Sequence, residues 1–382
     1  MTTDPKRFWI LEGDAVDVMS RLQPNSIDSM PTDPPYGLEF MGKELGWDKL
    51  EGAQTDGFRR TNNPADVGRE NAFGRRSRTS PQYTAGAKMQ AWHEQWAAEA
   101  FRILKPGGYV AAFSGSRTGH RLAAALEDVG FQIRDTLMWL YGTGMPAGTG
   151  RLKIPEEWRD RYNTCLKPAY EPIVLARKPL SGTVAANLRQ WGSGALNVEA
   201  TAVQRPDGGK PRWPPNIVLT HSPGCGRTLC CPDCPVALLG PKAEFFPAFD
   251  WDPEDMMVFR YVAKPTRGER DAGCDHLVGR SGAAAVMRTE GTAGVDNPRA
   301  GAGRTAKHVL NHHPTVKPLA LMRWVHRLIT PPSALALDPF GGSGTTLAAS
   351  ILEGGRCIVI EREPEYVPII RARAAHHLKR ST

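Results

Sequence analysis

Residues 26–37 read SIDSMPTDPPYG, an apolar run that stops at the carboxylate of Asp33 and the prolines Pro34 and Pro35, before Tyr36 and Gly37. A buried parallel strand ending in a polar loop has this pattern. Upstream, FWILEGD (8–14) reads as a strand and AVDVMSRLQPNS (15–26) as a helix, so the chain opens strand, helix, strand. Ligands of open α/β sheets bind beyond the carboxyl ends of strands, which makes Thr32 to Gly37 a place for a site.

Downstream, residues 51–87 are rich in Gly, Asn and Arg, with Arg59, Arg60, Arg69, Arg75, Arg76 and Arg78 and little periodicity, and read as a mobile basic loop. Met89, Trp92, Trp96, Ala100, Ile103 and Leu104 form a helical stripe over 88–104 that ends at Lys105-Pro106-Gly107-Gly108. YVAAFSG (109–115) follows as a strand, then a helix over 117–129 and an extended segment, FQIRDTLMWLYGTG (131–144). Between 146 and 306 prolines and glycines are frequent, and the tail of this stretch reads as a flexible connector. The α/β pattern resumes with a helix around 315–330, the strand ALALDPF (334–340), a helix over 343–353, the strand RCIVIE (356–361) and a helix from Pro364. The expected organisation is one α/β sheet built from residues 1–145 and 308–382, interrupted by an inserted region over 146–307.

The bulk properties narrow the class. A chain of 382 residues can bury a large core without disulfides. Its net charge of +8 favours a polyanionic partner. No apolar run reaches the roughly 18–20 residues of a membrane span, and the N-terminus lacks a basic region followed by an apolar stretch, so the expected location is the cytoplasm, with no membrane partner.

Asp33-Pro34-Pro35-Tyr36 suits one kind of chemistry. An exocyclic amine on adenine or cytosine is a poor nucleophile, because its lone pair is delocalised into the ring. Acceptors that hold both N–H groups localise the pair on nitrogen and aim it at an electrophile. The Asp33 carboxylate and the Pro34 carbonyl can be those acceptors, since proline stiffens the loop and frees its carbonyl from a sheet ladder. Tyr36 can stack on an extruded base, offsetting roughly 1–3 kcal/mol of the unstacking cost. The plainer alternative is a proline-stiffened turn.

A second loop, Asp338-Pro339-Phe340-Gly341-Gly342-Ser343-Gly344-Thr345-Thr346, passes from a strand end into a helix. Small residues let a ligand approach the backbone, and a helix N-terminus favours a carboxylate. No Gly-Lys-Ser/Thr follows, so it is not a P-loop, and the dinucleotide spacing fails at Leu347. The next strand ends at Glu361, where an acid can hold ribose hydroxyls. Together these features point to a nucleoside cofactor.

Of the seven cysteines, Cys225, Cys230, Cys231 and Cys234 cluster behind His221. Cys231 and Cys234 have C-x2-C spacing, and His221 with Cys225 supplies two further ligands, so the expectation is a structural zinc held by His221, Cys225, Cys231 and Cys234, with free or buried thiols as the alternative. Adjacent Cys230 and Cys231 cannot easily both coordinate one tetrahedral ion.

TDPPYG, LKPGG, NHHPTVKP ahead of DPFGGSGTT, and a closing acidic strand resemble the beta group of DNA amino-methyltransferases, and PYGLEFMGK, LKPAYEPIVLARKPL and GTVAAN resemble its phage and prophage members. The resemblance implies a Rossmann-like S-adenosylmethionine-dependent methyltransferase sheet, circularly permuted so that the catalytic half precedes the cofactor half. It implies that Asp33, Pro34, Pro35 and Tyr36 are catalytic. It further implies that Asp338, Phe340, Gly342, Ser343, Gly344 and Thr345 line the cofactor, that Glu361 holds its ribose, and that Asp14 contacts its adenine. Thr315, Lys317 and Pro318 would close over the methionine moiety, where the Lys317 charge can pair with a carboxylate; Asn311 and His313 belong to the same stretch. The family often has a larger residue where this chain has Gly341.

By the same resemblance residues 146–307 read target sequence in double-stranded DNA, with Trp191 and Trp213 as candidates for phosphate or base contact. The expected reaction is direct methyl transfer to adenine N6, with cytosine N4 as the alternative; an RNA amine methyltransferase and a catalytically silent DNA-binding protein are the other readings. Methylation of cytosine carbon 5 needs a nucleophilic thiol, usually in a Pro-Cys pair, and the chain has no Pro-Cys. No nuclease motif is evident, although the resemblance is to restriction–modification enzymes; the sequence leaves open a homodimer and a separate nuclease partner.

Overall fold

The structure is a computed structural model, described for residues 7–36, 39–40, 43–44, 81–141, 157, 166, 169–203, 208–220, 234–246, 248–249, 267–279, 309–313 and 315–381. The first and last stretches of the chain share one sheet. Strand β1 (Phe8–Glu12) pairs in parallel with β11 (Arg356–Glu361), from Phe8 against Cys357 to Glu12 against Glu361. Next to β11 lies β10 (Leu335–Asp338), then β2 (Ile27–Thr32) and β5 (Leu104–Phe113), all parallel. Strands β7 (Tyr170–Arg177), β6 (Gln132–Leu140), β8 (Ile217–Thr220) and β9 (Ala248–Phe249) complete the nine-stranded order β1-β11-β10-β2-β5-β7-β6-β8-β9. Only β7 runs against its neighbours. A separate short hairpin pairs β3 (Glu39–Phe40) with β4 (Lys43–Glu44).

Helices cover both faces, as an apolar parallel sheet demands. On one face α1 (Ala15–Ser20), α2 (Pro81–Ile103) and α3 (Gly119–Val129) bury Met19, Trp96, Ala100, Leu122 and Leu126 against Met30, Val110 and Ala112. On the other, the helix Leu319–Ile329 buries Leu321, Trp324, Val325 and Leu328 against Ala111, Phe113, Ile173 and Leu175. Each such leucine contributes about 2 kcal/mol by leaving water. The last helices, Thr345–Leu352 and Val367–Ser381, pack Leu347, Ile351, Ile370 and Ala374 on Phe8, Ala336 and Val359. Among the described residues three short α-helices, α4 (Val184–Trp191), α5 (Pro235–Leu239) and α6 (Arg267–Asp271), come between, and the last three are labelled α7, α8 and α9. Among the described residues no helix is long and apolar enough to cross a membrane.

The fold class is the α/β sheet expected from the sequence, with three differences. Strand β7 comes from the range read as an insertion yet sits between β5 and β6, because Ile173, Val174, Leu175 and Ala176 are buried in the middle of the sheet. The boundary at 145 therefore does not coincide with the end of the sheet. Helix α2 starts at Pro81, so the end of the stretch read as a basic loop is helical, while 51–80 lie outside the described residues. Helix α7 starts at Leu319 rather than 315, behind Pro318, whose extended ψ of 130° keeps the preceding turn out of the helix.

Candidate active site

The order in which successive strands are laid down reverses between the parallel neighbours β10 and β2. From β10 the path moves outward through β11, and from β2 it moves the other way through β5. Such a switch point opens a crevice at the strand ends. Thr32 Oγ1 donates to Asp338 Oδ1 across it at 2.7 Å, joining the two loops singled out in the sequence. The Phe340 amide donates to the same oxygen at 3.1 Å. Burial raises the Asp338 pKa to about 7 against an ordinary 3.8, with hydrogen bonds from Thr346 and Thr32 opposing the rise.

Asp33 follows β2 directly and is partly buried. Its Oδ2 accepts from Lys317 Nζ at 2.6 Å, and Lys317 Nζ lies 3.5 Å from Glu171 Oε2. Tyr36 Oη donates to that Glu171 oxygen at 3.0 Å. The ammonium also sits 5.1 Å from the ring centroids of both Tyr36 and Phe113. Burial alone would lower the Lys317 pKa, but the Asp33 and Glu171 charges outweigh it and leave the group raised and protonated. Burial, then the charges of Asp33 and Glu171, push the Tyr36 hydroxyl well above its usual range, so it stays a donor. Asp33 Oδ1 is buried with no hydrogen-bond partner among the described residues. An orphaned carboxylate oxygen costs about 1–3 kcal/mol or more, which an incoming N–H would relieve.

The Gly-rich loop turns between Asp338 and α8. Gly342 and Gly344 have φ of 51° and 76°, a left-handed conformation that side chains resist. Glu361, at the end of β11, accepts from the Gly342 amide at 2.6 Å and the Glu363 amide at 2.8 Å. Burial raises its pKa, opposed by those amides. Asp14 follows β1, and its carboxylate caps α1 through the Val16 amide at 2.9 Å. Because Gly13 N donates to Glu361 O at 2.9 Å, the two acids stand at neighbouring strand ends. Phe340 packs edge-on against Trp96 and beside Trp92, with centroids 5.5 and 5.6 Å away. Paired acids, a glycine turn at a helix N-terminus without a side-chain cap, and an aromatic wall fit a nucleoside bearing a carboxylate. Ser343 and Thr345 are turned elsewhere: buried Arg373 Nη1 donates to Ser343 O, Ser343 Oγ and Thr345 Oγ1 at 2.8, 3.2 and 3.0 Å.

The segment carrying Thr315, Lys317 and Pro318 is clasped by α6. Asp271 Oδ1 accepts from the Asn311 amide at 2.9 Å, and the Arg270 carbonyl accepts from Asn311 Nδ2 at 2.7 Å. Arg270 Nη2 donates to His313 O at 2.6 Å. Glu269 Oε1 accepts from the Leu319 amide at 2.5 Å, capping α7, whose own N-cap residue, Pro318, makes no side-chain cap bond. Thr315 N donates to His313 Nδ1 at 3.3 Å. Asn311 thus acts as a turn staple, and His313 covers Gly342, where a Cβ would stand 2.8 Å from its Nε2.

The structure brings together Asp33, Pro34, Pro35, Tyr36, Lys317 and the Asp338 loop. Sequence reasoning missed Glu171, Phe113 and the Glu269-Arg270-Asp271 clasp, and gave Thr32 no role beyond its place in the motif. The one available signal for Glu171 was a lone acid heading the apolar run PIVLA. Trp191 and Trp213 fall at the opposite end of the sheet: α4 follows β7, whose last residue Arg177 pairs with Tyr109 at the amino-terminal end of the β5–β7 ladder, and Trp213, 78% exposed, precedes β8. Both thus lie toward the amino-terminal ends of the parallel strands, whereas the crevice opens at their carboxyl ends. His221, Cys225 and Cys231 lie outside the described residues. Cys234 is buried at the start of α5, and no group of three metal-ligating side chains occurs among the described residues.

Relatives agree with this architecture. The Haemophilus influenzae protein described as type II methyltransferase M.HindIII is 30% identical over 209 residues, covering 49% of this chain and 64% of that protein, so the chain spans less than two thirds of that relative's length. The structure of PvuII DNA methyltransferase, described as cytosine-N4-specific, superposes with a TM-score of 0.50 at 16% identity over 96% of this chain and 86% of that one, a likeness of fold. The N6/N4 family model, described as DNA methylase, matches residues 27–372, and the chain belongs to that DNA methylase family.

Proposed function

We propose that the protein transfers a methyl group from S-adenosylmethionine to adenine N6 in double-stranded DNA. The observation that carries this reading is Asp33 Oδ1 at the switch point, buried with no hydrogen-bond partner among the described residues, one position ahead of Pro34 in the chain. When bound, the cofactor supplies an electrophilic methyl on its sulfonium. Asp33 and Pro34 accept the two N–H bonds of the target amine and aim the nitrogen lone pair, while Pro35 stiffens the loop and Tyr36 stacks on the extruded base. The new N–C bond forms as the S–C bond breaks, and the amine proton leaves to water. Glu361 and Asp14 would hold the nucleoside part, Phe340, Gly342 and Gly344 its surroundings, and Thr315, Lys317 and Pro318 the methionine end. Ser343 and Thr345 would contribute through backbone, since their side chains serve Arg373.

Cytosine N4 is the second reading: its amine presents the same pair of N–H bonds beside a ring nitrogen. The Asp at position 33 favours adenine by resemblance. Target reading belongs in this proposal to residues 146–307 outside the sheet strands. Thr220 ends β8 at the same sheet edge as Asp33, and His221 follows it directly. The spacing of His221, Cys225, Cys231 and Cys234 in the sequence supports a structural zinc, and metal analysis of the purified chain against a C231S/C234S variant tests it. Expression in a methylation-free host, followed by sequencing for N6-methyladenine and N4-methylcytosine, tests the reaction and the base together. Neither mark in the wild type, or equal marks with Asp33→Ala, would refute the proposal.

A further inference from the structure

We infer that Glu171 is a positioning residue for this reaction, one carboxylate that anchors the Tyr36 ring and the Lys317 ammonium while Asp33 is engaged by the target amine. The inference rests on the proposed function and adds a residue to it. Glu171 Oε2 accepts from Tyr36 Oη at 3.0 Å and lies 3.5 Å from Lys317 Nζ. The ammonium is therefore shared between two carboxylates, the nearer being Asp33 at 2.6 Å.

The sharing matters because Asp33 has two tasks. Its buried carboxylate must turn an oxygen to the amine of the base, and each N–H it accepts draws charge away from Lys317. Lys317 is only 7% exposed, so with Asp33 as its sole anion any weakening of that contact would leave a buried cation poorly compensated, which is unfavourable. Glu171 supplies the second anion and keeps the cation at its post. The same oxygen fixes the Tyr36 hydroxyl, and with it the plane on which a base would stack.

Glu171 is itself rigidly held. It is the second residue of the antiparallel strand β7, paired with Trp139 of β6. On the other side the Ser114 amide donates to Pro172 O at 2.9 Å. Because β7 runs against β5, the start of β7 meets the carboxyl end of β5, which places Glu171 at the mouth of the crevice. This role is indirect: Glu171 acts through Tyr36 and Lys317 and is assigned no contact with the reacting atoms.

The test uses the full chain, labelled S-adenosylmethionine and unmethylated genomic DNA, comparing wild type, Glu171→Gln, Glu171→Ala, Tyr36→Phe and the double variant E171A/Y36F. A charge-assisted hydrogen bond lost from Tyr36 predicts that E171A and Y36F each slow single-turnover transfer about tenfold, and that the double variant is no slower than the worse single. E171Q, which keeps an acceptor for the hydroxyl, should recover part of the loss. Cofactor affinity by calorimetry and thermal unfolding should stay close to wild type in E171Q. Multiplying single effects, an unchanged rate in E171A, or a loss confined to cofactor affinity would overturn the inference while leaving the function intact. No transfer by the wild type would overturn the function, and the inference with it.

Discussion

Lys317 Nζ lies 2.6 Å from Asp33 Oδ2, although 284 residues separate the two in sequence. The pair ties the segment before α7 to the loop after β2 and sits largely out of water, with side chains 8% and 17% exposed. Removing Lys317 leaves the Asp33 carboxylate charged and largely buried without its cation, which costs about 3 kcal/mol, while removing Asp33 as well relieves most of that penalty. Lys317→Ala should therefore destabilise the fold by about 3 kcal/mol, and the double variant with Asp33→Ala by less than the sum of the singles. Urea unfolding of all four proteins measures this; strict additivity would show that the pair contributes nothing to stability.

Asp338 should make stability fall as pH rises. Its folded pKa is raised by burial from 3.8 to about 7, so the folded state holds a proton that the unfolded chain releases. The contribution is fully present below about 4 and lost as pH rises through about 7. Asp338→Asn keeps an acceptor for Thr32 Oγ1 and removes the titration. Chemical denaturation at pH 5 and pH 8 should show a smaller drop in the variant than in the wild type, and an identical drop would count against the assignment.

Gly344→Ala should weaken both fold and cofactor site. The residue has φ of +76°, and a Cβ would stand 3.0 Å from Ile370 Cγ2. A non-glycine residue in that region costs of order 1–3 kcal/mol. Calorimetric titration with S-adenosylmethionine should show at least a severalfold loss of affinity together with a lower unfolding temperature. Unchanged affinity in a destabilised variant would place the strain away from the ligand.

Arg270→Gln should loosen the segment before α7. Its guanidinium donates to His313 O at 2.6 Å, and its loss removes a charge-assisted bond worth about 2 kcal/mol. Because His313 covers Gly342, the expected outcome is weaker cofactor binding with a single-turnover rate at saturating cofactor close to wild type. A fall in rate at saturation with unchanged affinity would contradict this.

Much of the fold was legible locally. The run ending at Asp33, the helical stripe through Trp92 and Trp96, and the strand–glycine–helix pattern around Asp338 each report on a few neighbouring residues, and backbone periodicity is set at that range. Strand β7 was less visible because its buried run, Ile173 to Ala176, is short and set among prolines. A short apolar run does not say whether it sits at an edge or between two strands.

The sequence by itself determined two polar loops at strand ends, one with Asp33 and one with the Asp338 glycine turn. Only the tertiary structure decided who serves them. Thr32 bonds Asp338 across 306 positions, Lys317 reaches Asp33 across 284, and Tyr36 finds Glu171 across 135. Local pattern records which face a residue buries. The partner it meets there depends on strand order and direction, and here a single antiparallel strand brings Glu171 to the crevice.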